Sequence, residues 1–393
     1  MKKVVHLMRK FLPPTASFIY NQISFHQHYQ PYIGYCENTP SVFRRQLEDN
    51  YPRFRIVGDG PGRFMYQYTR NLSPGDRQRL GRFIHEVAPD IIHVHYGVDA
   101  LVFTDLFQTW KIPVIVSFYG YDCTSFPRRF KGLGKRWLQK KLFNNPHVQA
   151  YTAMSPDMRD DLVKIGCPQE KIIVHYHGSD TQPFFRKRTY PEKDEIQLLI
   201  VSSLAEKKGH LFLLKAFQRA RQRSDRKLHL NIVGDGGLKK SLQEYVRQHG
   251  IQQVRFLGAT DYGSAQHHQL LKQADIFVHP SVHTADGDKE GIPGALIESR
   301  SSGLPVISTY HAGIPYIVEQ GKTGLLAEEH DVEALANHII TLADDAELRK
   351  KLGLAGQAYT REHLDVAQKE QDLERIYHQL VQHTQLDDSR QVG

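Results

Sequence analysis

The sequence predicts an α/β protein built as two doubly wound, Rossmann-like units. Three observations predict it. Short β-rich runs alternate with helix-like runs in two separate series, the pattern of parallel strands joined by crossover helices. Between the series, residues 181–195 are polar, charged and carry Pro183 and Pro191, which is a linker composition. At 393 residues the chain is also longer than one ordinary core organises.

The first series, in a unit expected over residues 1–180, includes Lys3–Met8, Ile91–His95, Val114–Phe118 and Gln149–Ala153. The second, in a unit expected over 195–360, consists of Ile196–Ser202, His229–Gly234, Val254–Leu257, Ile276–His279 and Val306–Ser308. A last helix is predicted over 366–385, where Leu373, Ile376, Tyr377 and Leu380 fall on one side. The polar tail beyond Gln385 is expected to fray. In open sheets of this kind, ligands sit outside the carboxyl ends of the strands.

Composition narrows the class. Apolar residues at 40% and charged residues at 24% are globular values and exclude a disordered chain. Cys36, Cys123 and Cys167 are odd in number and widely spaced, fitting neither a zinc site nor a disulfide framework, so a reducing cytoplasm is expected. No run approaches the roughly 18 apolar residues of a membrane span. The first ten residues, interrupted early by charge, read as a strand rather than a signal peptide.

A net charge of +8 calls for an anionic partner without naming it. Basic residues are densest in 128–141, which contains no acid, and Trp137, Leu138, Leu142 and Phe143 could give that segment one apolar side. Two readings are open. The segment lies on an anionic membrane surface, each basic side chain contributing about 1 kcal/mol, or it is a solvated basic helix whose apolar side belongs to the core. The first makes the protein peripheral on the inner face of the cytoplasmic membrane. No DNA- or RNA-binding motif accompanies the charge, so nucleic acid is not an expected partner.

The most informative residues are Glu290 and Glu298, in Glu290-Gly-Ile-Pro-Gly-Ala-Leu-Ile-Glu298. The run follows a strand and a polar loop and enters a helix expected to end at Gly303, before Pro305. Pro293 suits a first helical position, since its missing N–H would be unpaired there anyway. Free N–H groups at such a start attract phosphate, helped by the helix dipole. Glu298, about 8 Å along the axis at roughly 1.5 Å per residue, could hydrogen-bond a ribose attached to that phosphate. Glu290, before the helix, could meet a sugar on the other side of the phosphates. Taken alone, a loop glutamate and a solvated helix carboxylate would be the better explanation of the pair; the surrounding residues reverse that.

The surrounding residues Gly291–Ser308, His311-Ala-Gly-Ile-Pro315 and Gly321-Lys-Thr-Gly-Leu-Leu326 resemble glycosyltransferase family 4. The resemblance implies the GT-B fold, two Rossmann-like domains facing across a cleft with the last helix crossing back onto the first. It further implies retaining, metal-independent transfer from a nucleotide diphosphate sugar to an acceptor hydroxyl. Similarity to exopolysaccharide and lipopolysaccharide (colanic-acid-type) transferases implies a glycan or lipid-linked acceptor. Of the family's Gly-Arg-Leu-x-x-x-Lys-Gly loop, Lys208 matches the lysine, with Lys207 the near alternative, while Ser202 and Ser203 replace the glycine and arginine. Lys208 and the helix start at Ile292, Pro293, Gly294 and Ala295 would then hold the diphosphate.

The same resemblance gives further positions. Gly234-Asp-Gly-Gly237 corresponds to the glycine turn beside the nucleotide, where Asp235 either contacts it or caps the turn. Arg255-Phe-Leu-Gly258, with Phe256, corresponds to the nucleobase position. His311-Ala-Gly313 is the loop beside the donor sugar, and Tyr316 stands where many relatives have glutamate. In the first domain, Phe11–Ile19 resembles the N-terminal loop of exopolysaccharide-type members. Tyr119 takes the place of a histidine that reaches the transferred sugar, leaving His95 as a nearby proton carrier or a packed structural histidine. His177-Gly-Ser-Asp180 leads into the linker. Asp286-Gly-Asp288 resembles the metal-binding Asp-x-Asp of another transferase fold, but this fold needs no ion, so neither metal nor cofactor is expected. A sugar-nucleotide epimerase of similar fold and a catalytically weak binding protein are the alternatives.

Overall fold

Strands buried on both faces need near-continuous apolar runs, and the runs found in sequence pair as parallel sheets. The computed structural model describes residues 1–12, 16–39 and 50–391 and divides the chain into two units. One is Met1–Gly178 with Val366–Gly393; the other is Ser179–Asp365.

The first unit holds a seven-stranded sheet in the order β3-β2-β1-β4-β5-β6-β7. Its strands are β1 (Lys2–Phe11), β2 (Tyr29–Asn38), β3 (Arg53–Arg55), β4 (Ile91–His95), β5 (Val114–Ser117), β6 (Val148–Ala153) and β7 (Ile172–Val174). Every pairing is parallel. β2 escapes a sequence reading because Pro31 and Gly34 interrupt its pattern, yet it pairs with β1 from Lys2↔Tyr29 to Phe11↔Asn38. Of the expected N-terminal loop, residues 13–15 lie outside the described residues.

The second unit holds a six-stranded parallel sheet in the order β10-β9-β8-β11-β12-β13. The strands are β8 (Glu195–Val201), β9 (Lys227–Val233), β10 (Val254–Gly258), β11 (Ile276–His279), β12 (Val306–Thr309) and β13 (Leu325–Ala327). The order reverses at β8, which lies between β9 and β11, so the crevice that binds ligands in such sheets opens at the carboxyl ends of β8 and β11.

Two stretches depart from expectation. Residues 181–194 have a linker's composition but are strapped to the second unit. Arg188 donates to the carbonyls of Ser302 (3.0 Å) and Ala274 (2.7 Å), Tyr190 to Gly303 (2.6 Å), and Arg349 to Pro191 (2.9 Å). Arg188 and Tyr190 thereby satisfy carbonyls at the ends of the Ala265–Gln273 and Gly294–Ser301 helices. The last helix runs Val366–Gln391, past the expected end, because no glycine or proline stops it before Gly393. Its buried Leu373, Tyr377 and Val381 cover Val4, Tyr29, Ile91, Ile115 and Ala150 of the first sheet.

Candidate functional site

The loops leaving β8, β9, β11, β12 and β13 are tied to one another at the carboxyl edge of the second sheet. The Leu204 amide donates to the Asp235 carbonyl (2.9 Å) and the Val282 amide to the Lys207 carbonyl (2.9 Å). Gly234, at φ +143°, is needed for this: a Cβ there would lie 1.8 Å from the Ser202 carbonyl oxygen. Its glycine is therefore fixed by the approach of two loops. Asp235 caps the turn, accepting from the Gly236 amide (2.8 Å) and pairing with Lys239 (2.9 Å).

Glu290 and Lys208 meet across these loops. The Lys208 ammonium lies 2.7 Å from Glu290 Oε1, with both side chains largely buried. Burial alone would raise the Glu290 pKa, but Lys208, then Lys207 and His279, pull it down to about 2. It is a carboxylate at any working pH. Lys207 pairs instead with Asp288 (3.0 Å), so the two adjacent lysines are divided between two acids of one loop. Asp286 accepts from the Thr284 hydroxyl, so the Asp-x-Asp stretch is spent on a turn and an ion pair.

The helix begins at Gly294, one residue later than expected, with Pro293 as the extended residue before it (φ −68°, ψ 118°). The Leu296 amide bonds back to the Pro293 carbonyl at 3.0 Å. The amides of Gly294 and Ala295 thus have no acceptor four residues back in the helix. Ile292 is buried beside them. Glu298 turns back toward this end, its Oε1 lying 3.4 Å from where a Cβ of residue 294 would stand. Burial pushes the Glu298 pKa up to about 8, making it a neutral acid at pH 7. The nearest imidazole, His267, is 3.7 Å away and itself held down to about 4 by burial.

Gly313 lets the loop after β12 pack on the Glu290 loop, since a Cβ would lie 2.5 Å from the Gly291 carbonyl oxygen. Two residues earlier, buried His311 accepts the Glu290 backbone N–H at Nε2 (3.0 Å) and donates from Nδ1 to Glu329 (2.6 Å). Glu329 was not among the residues singled out in sequence, where Glu328-Glu329-His330-Asp331 reads only as a polar loop. Ser203 is half-buried, its carbonyl accepting the Ala205 amide (2.9 Å), and Phe256 packs its ring on the second core. Tyr316 is 46% exposed.

His95 and Tyr119 belong to the first unit, at the ends of β4 and β5. They bond to each other (His95 Nδ1 to Tyr119 Oη, 2.7 Å), and Tyr119 donates to Gln22 (3.1 Å). His95 Nε2 is joined to His6 (2.9 Å), and His6 to His26 (2.9 Å), which ends 3.3 Å from Glu370 on the last helix. Fully buried, with both nitrogens engaged, His95 is held near a pKa of 3 by burial and then by His26. Among the described residues, His6, His93 and His95 form one group with metal-ligand atoms close together, and His283, His311 and Glu329 another. In the first, both His93 nitrogens bond hydroxyls, Nδ1 to Tyr377 and Nε2 to Ser117 (2.6 Å). In the second, the carboxylate already accepts from both imidazoles.

The basic segment divides its apolar residues. Leu138, Leu142 and Phe143 are core, whereas Trp137 (38% exposed) faces solvent with Phe130 (60%) and Leu133 (43%). The Phe130 and Trp137 rings are 5.4 Å apart, with Arg128, Arg129, Lys131, Arg136, Lys140 and Lys141 exposed around them. No helix among the described residues is long and apolar enough to cross a membrane.

Comparison with known proteins agrees with this architecture. Residues 181–359 match the family model "Glycosyl transferases group 1", and residues 33–183 match "Glycosyltransferase Family 4". An Escherichia coli (strain K12) protein named as colanic acid biosynthesis glycosyltransferase WcaL is 37% identical over 181 residues, 45% of this chain and 43% of the relative. The amylovoran biosynthesis glycosyltransferase AmsK of Erwinia amylovora is 33% identical over 220 residues, 55% of this chain and 53% of the relative. The chain thus spans about half the length of these curated relatives. The crystal structure of Anabaena HepE in complex with UDP and glucose superimposes with a TM-score of 0.77 at 18% identity, covering 96% of this chain and 99% of that one. With two adjoining family models spanning most of its length, the chain carries a group 1 and a family 4 glycosyltransferase domain, and its two parallel sheets share the fold of GT-B structures.

Proposed function

We propose that the protein transfers a sugar, with retention of anomeric configuration, from a nucleotide diphosphate sugar to a hydroxyl of a glycan or lipid-linked acceptor in cell-surface polysaccharide synthesis. The observation that carries this reading is the buried Lys208–Glu290 pair beside the start of the Gly294–Ser301 helix. Charge grows on the leaving phosphate as the glycosidic bond breaks, and preorganised donors are most effective where charge develops. Lys208 and the amides of Gly294 and Ala295 supply such donors. Glu290, ionised, meets the sugar hydroxyls or the cationic centre at the anomeric carbon. Glu298 accepts from, or donates to, the ribose hydroxyls. The leaving phosphate oxygen takes the acceptor proton, so His95 is not needed as a base, and the scheme calls for no metal ion.

The relatives' names, in colanic acid and amylovoran biosynthesis, support an exopolysaccharide pathway. The UDP and glucose bound to HepE support a nucleotide-sugar donor. The exposed Phe130–Leu133–Trp137 cluster among basic residues supports contact with an anionic membrane surface. The test is donor turnover with UDP-, GDP- and ADP-sugars, with and without a chelator. Glu290→Ala and Glu298→Ala should each lower turnover by about tenfold or more while remaining folded, and the chelator should leave the wild-type rate unchanged. Wild-type rates in both folded variants would remove these assignments.

A further inference from the structure

Glu329 follows the short strand β13 and accepts three hydrogen bonds. Its Oε1 receives the Nδ1–H groups of His311 (2.6 Å) and His283 (2.7 Å), and its Oε2 receives the His283 backbone N–H (2.7 Å). These donors outweigh partial burial and hold its pKa at about 2, so it is a permanent acceptor. His311 is fully buried, so both its nitrogens need partners. A backbone N–H can only donate. The bond from Glu290 N–H therefore requires a bare Nε2, which places the single ring proton on Nδ1, facing Glu329.

We propose that Glu329 is a positioning residue for Glu290, acting through the tautomer of His311. The carboxylate fixes the Nδ1–H form; the bare Nε2 then holds the Glu290 peptide, and with it the side chain that meets Lys208. Without Glu329, His311 is free to carry its proton on Nε2, where it opposes the Glu290 N–H and pushes that peptide away. The functional consequence rests on the proposed role of Glu290 in the donor site; the tautomer itself does not.

Two measurements keep those claims separate. Long-range 1H–15N spectra of histidine-labelled protein, with the His311 signals identified by their loss in His311→Gln, read the tautomer directly. The expected result is Nδ1–H in the wild type and in Glu329→Gln, which keeps an acceptor oxygen, and an Nε2–H form or a mixture in Glu329→Ala. An Nε2–H form in the wild type would overturn the proposal. So would a stoichiometric zinc ion that co-purifies with the wild type and is lost in Glu329→Ala, since a metal would take the place of both Nδ1 protons. In turnover, Glu329→Ala should lower kcat by about tenfold and leave donor KM and UDP affinity within about twofold, with Glu329→Gln recovering most of the rate. In a Glu290→Ala background the same change should cost less than about twofold, because its effect passes through Glu290. Equal losses in both backgrounds would show a merely structural role. A wild type inactive with every donor would defeat the proposed activity, while the tautomer would still decide the positioning claim.

Discussion

Two glutamates of one loop and helix end with opposite charge states. Glu290 has Lys208 at 2.7 Å and stays ionised, whereas Glu298 is buried without a cation and its pKa rises to about 8. The folded value of Glu298 lies above its ordinary 4.5. Its contribution to stability is therefore fully present below about pH 4.5 and is lost as pH rises through about 8. Glu298→Gln cannot ionise, so it should melt higher than the wild type at pH 8 by roughly 5 °C or more. The difference should shrink toward pH 5. Thermal melts at both pH values check this, and a constant difference would show that Glu298 does not titrate in that window. The positions of both glutamates were legible in sequence, because a strand, loop and helix start were written around them. Their charge states were not, since a pKa depends on what folding places within a few ångströms.

Among the elements, the segment 128–143 and the last helix show what a pattern conveys. The segment's basic density was evident, but which apolar residues face the core was not: short 3-10, α and π turns replace one regular helix and send Trp137 outward. The proposed contact with an anionic membrane surface predicts two effects. Lys135, Arg136, Lys140 and Lys141 changed together to glutamine should weaken binding to anionic lipid vesicles by at least about tenfold, at roughly 1 kcal/mol per cation. Phe130 and Trp137 changed to serine should weaken it at high salt as well. Vesicle co-sedimentation checks both, and unchanged binding would remove the surface from the proposal. In the last helix, the Leu373 and Tyr377 stripe was legible from its helical period. The hydroxyl bond from Tyr377 to His93 was not. Leu373→Ala should cost about 2–5 kcal/mol through the cavity it leaves, and Tyr377→Phe about 1 kcal/mol through one buried hydrogen bond. Denaturant unfolding should rank them in that order; the reverse order would place the helix's hold in its polar contacts.

At the scale of the whole molecule, the residues of the proposed donor site lie within Ser179–Asp365, while His95 and Tyr119 lie in the other unit. Hydrogen exchange with UDP should therefore protect residues 202–209, 234–237 and 290–298 most, by roughly tenfold or more at saturating ligand. Protection centred on the first unit's strands would contradict the donor site. The sequence by itself determined the α/β class, the two series of strands, the Glu290–Glu298 loop and helix, and Lys208. Each is written in local periodicity, turn residues or a short motif. Only the tertiary structure decided that the stretch 181–194 is anchored, that Gly234 answers to a neighbouring carbonyl, that His95 is locked in a histidine chain, and that Glu329 bonds His311. These depend on groups distant in the chain, from 18 residues between His311 and Glu329 to 114 between Arg188 and Ser302. Local sequence carries no record of such partners; the sheet order that sets one loop beside another supplies it.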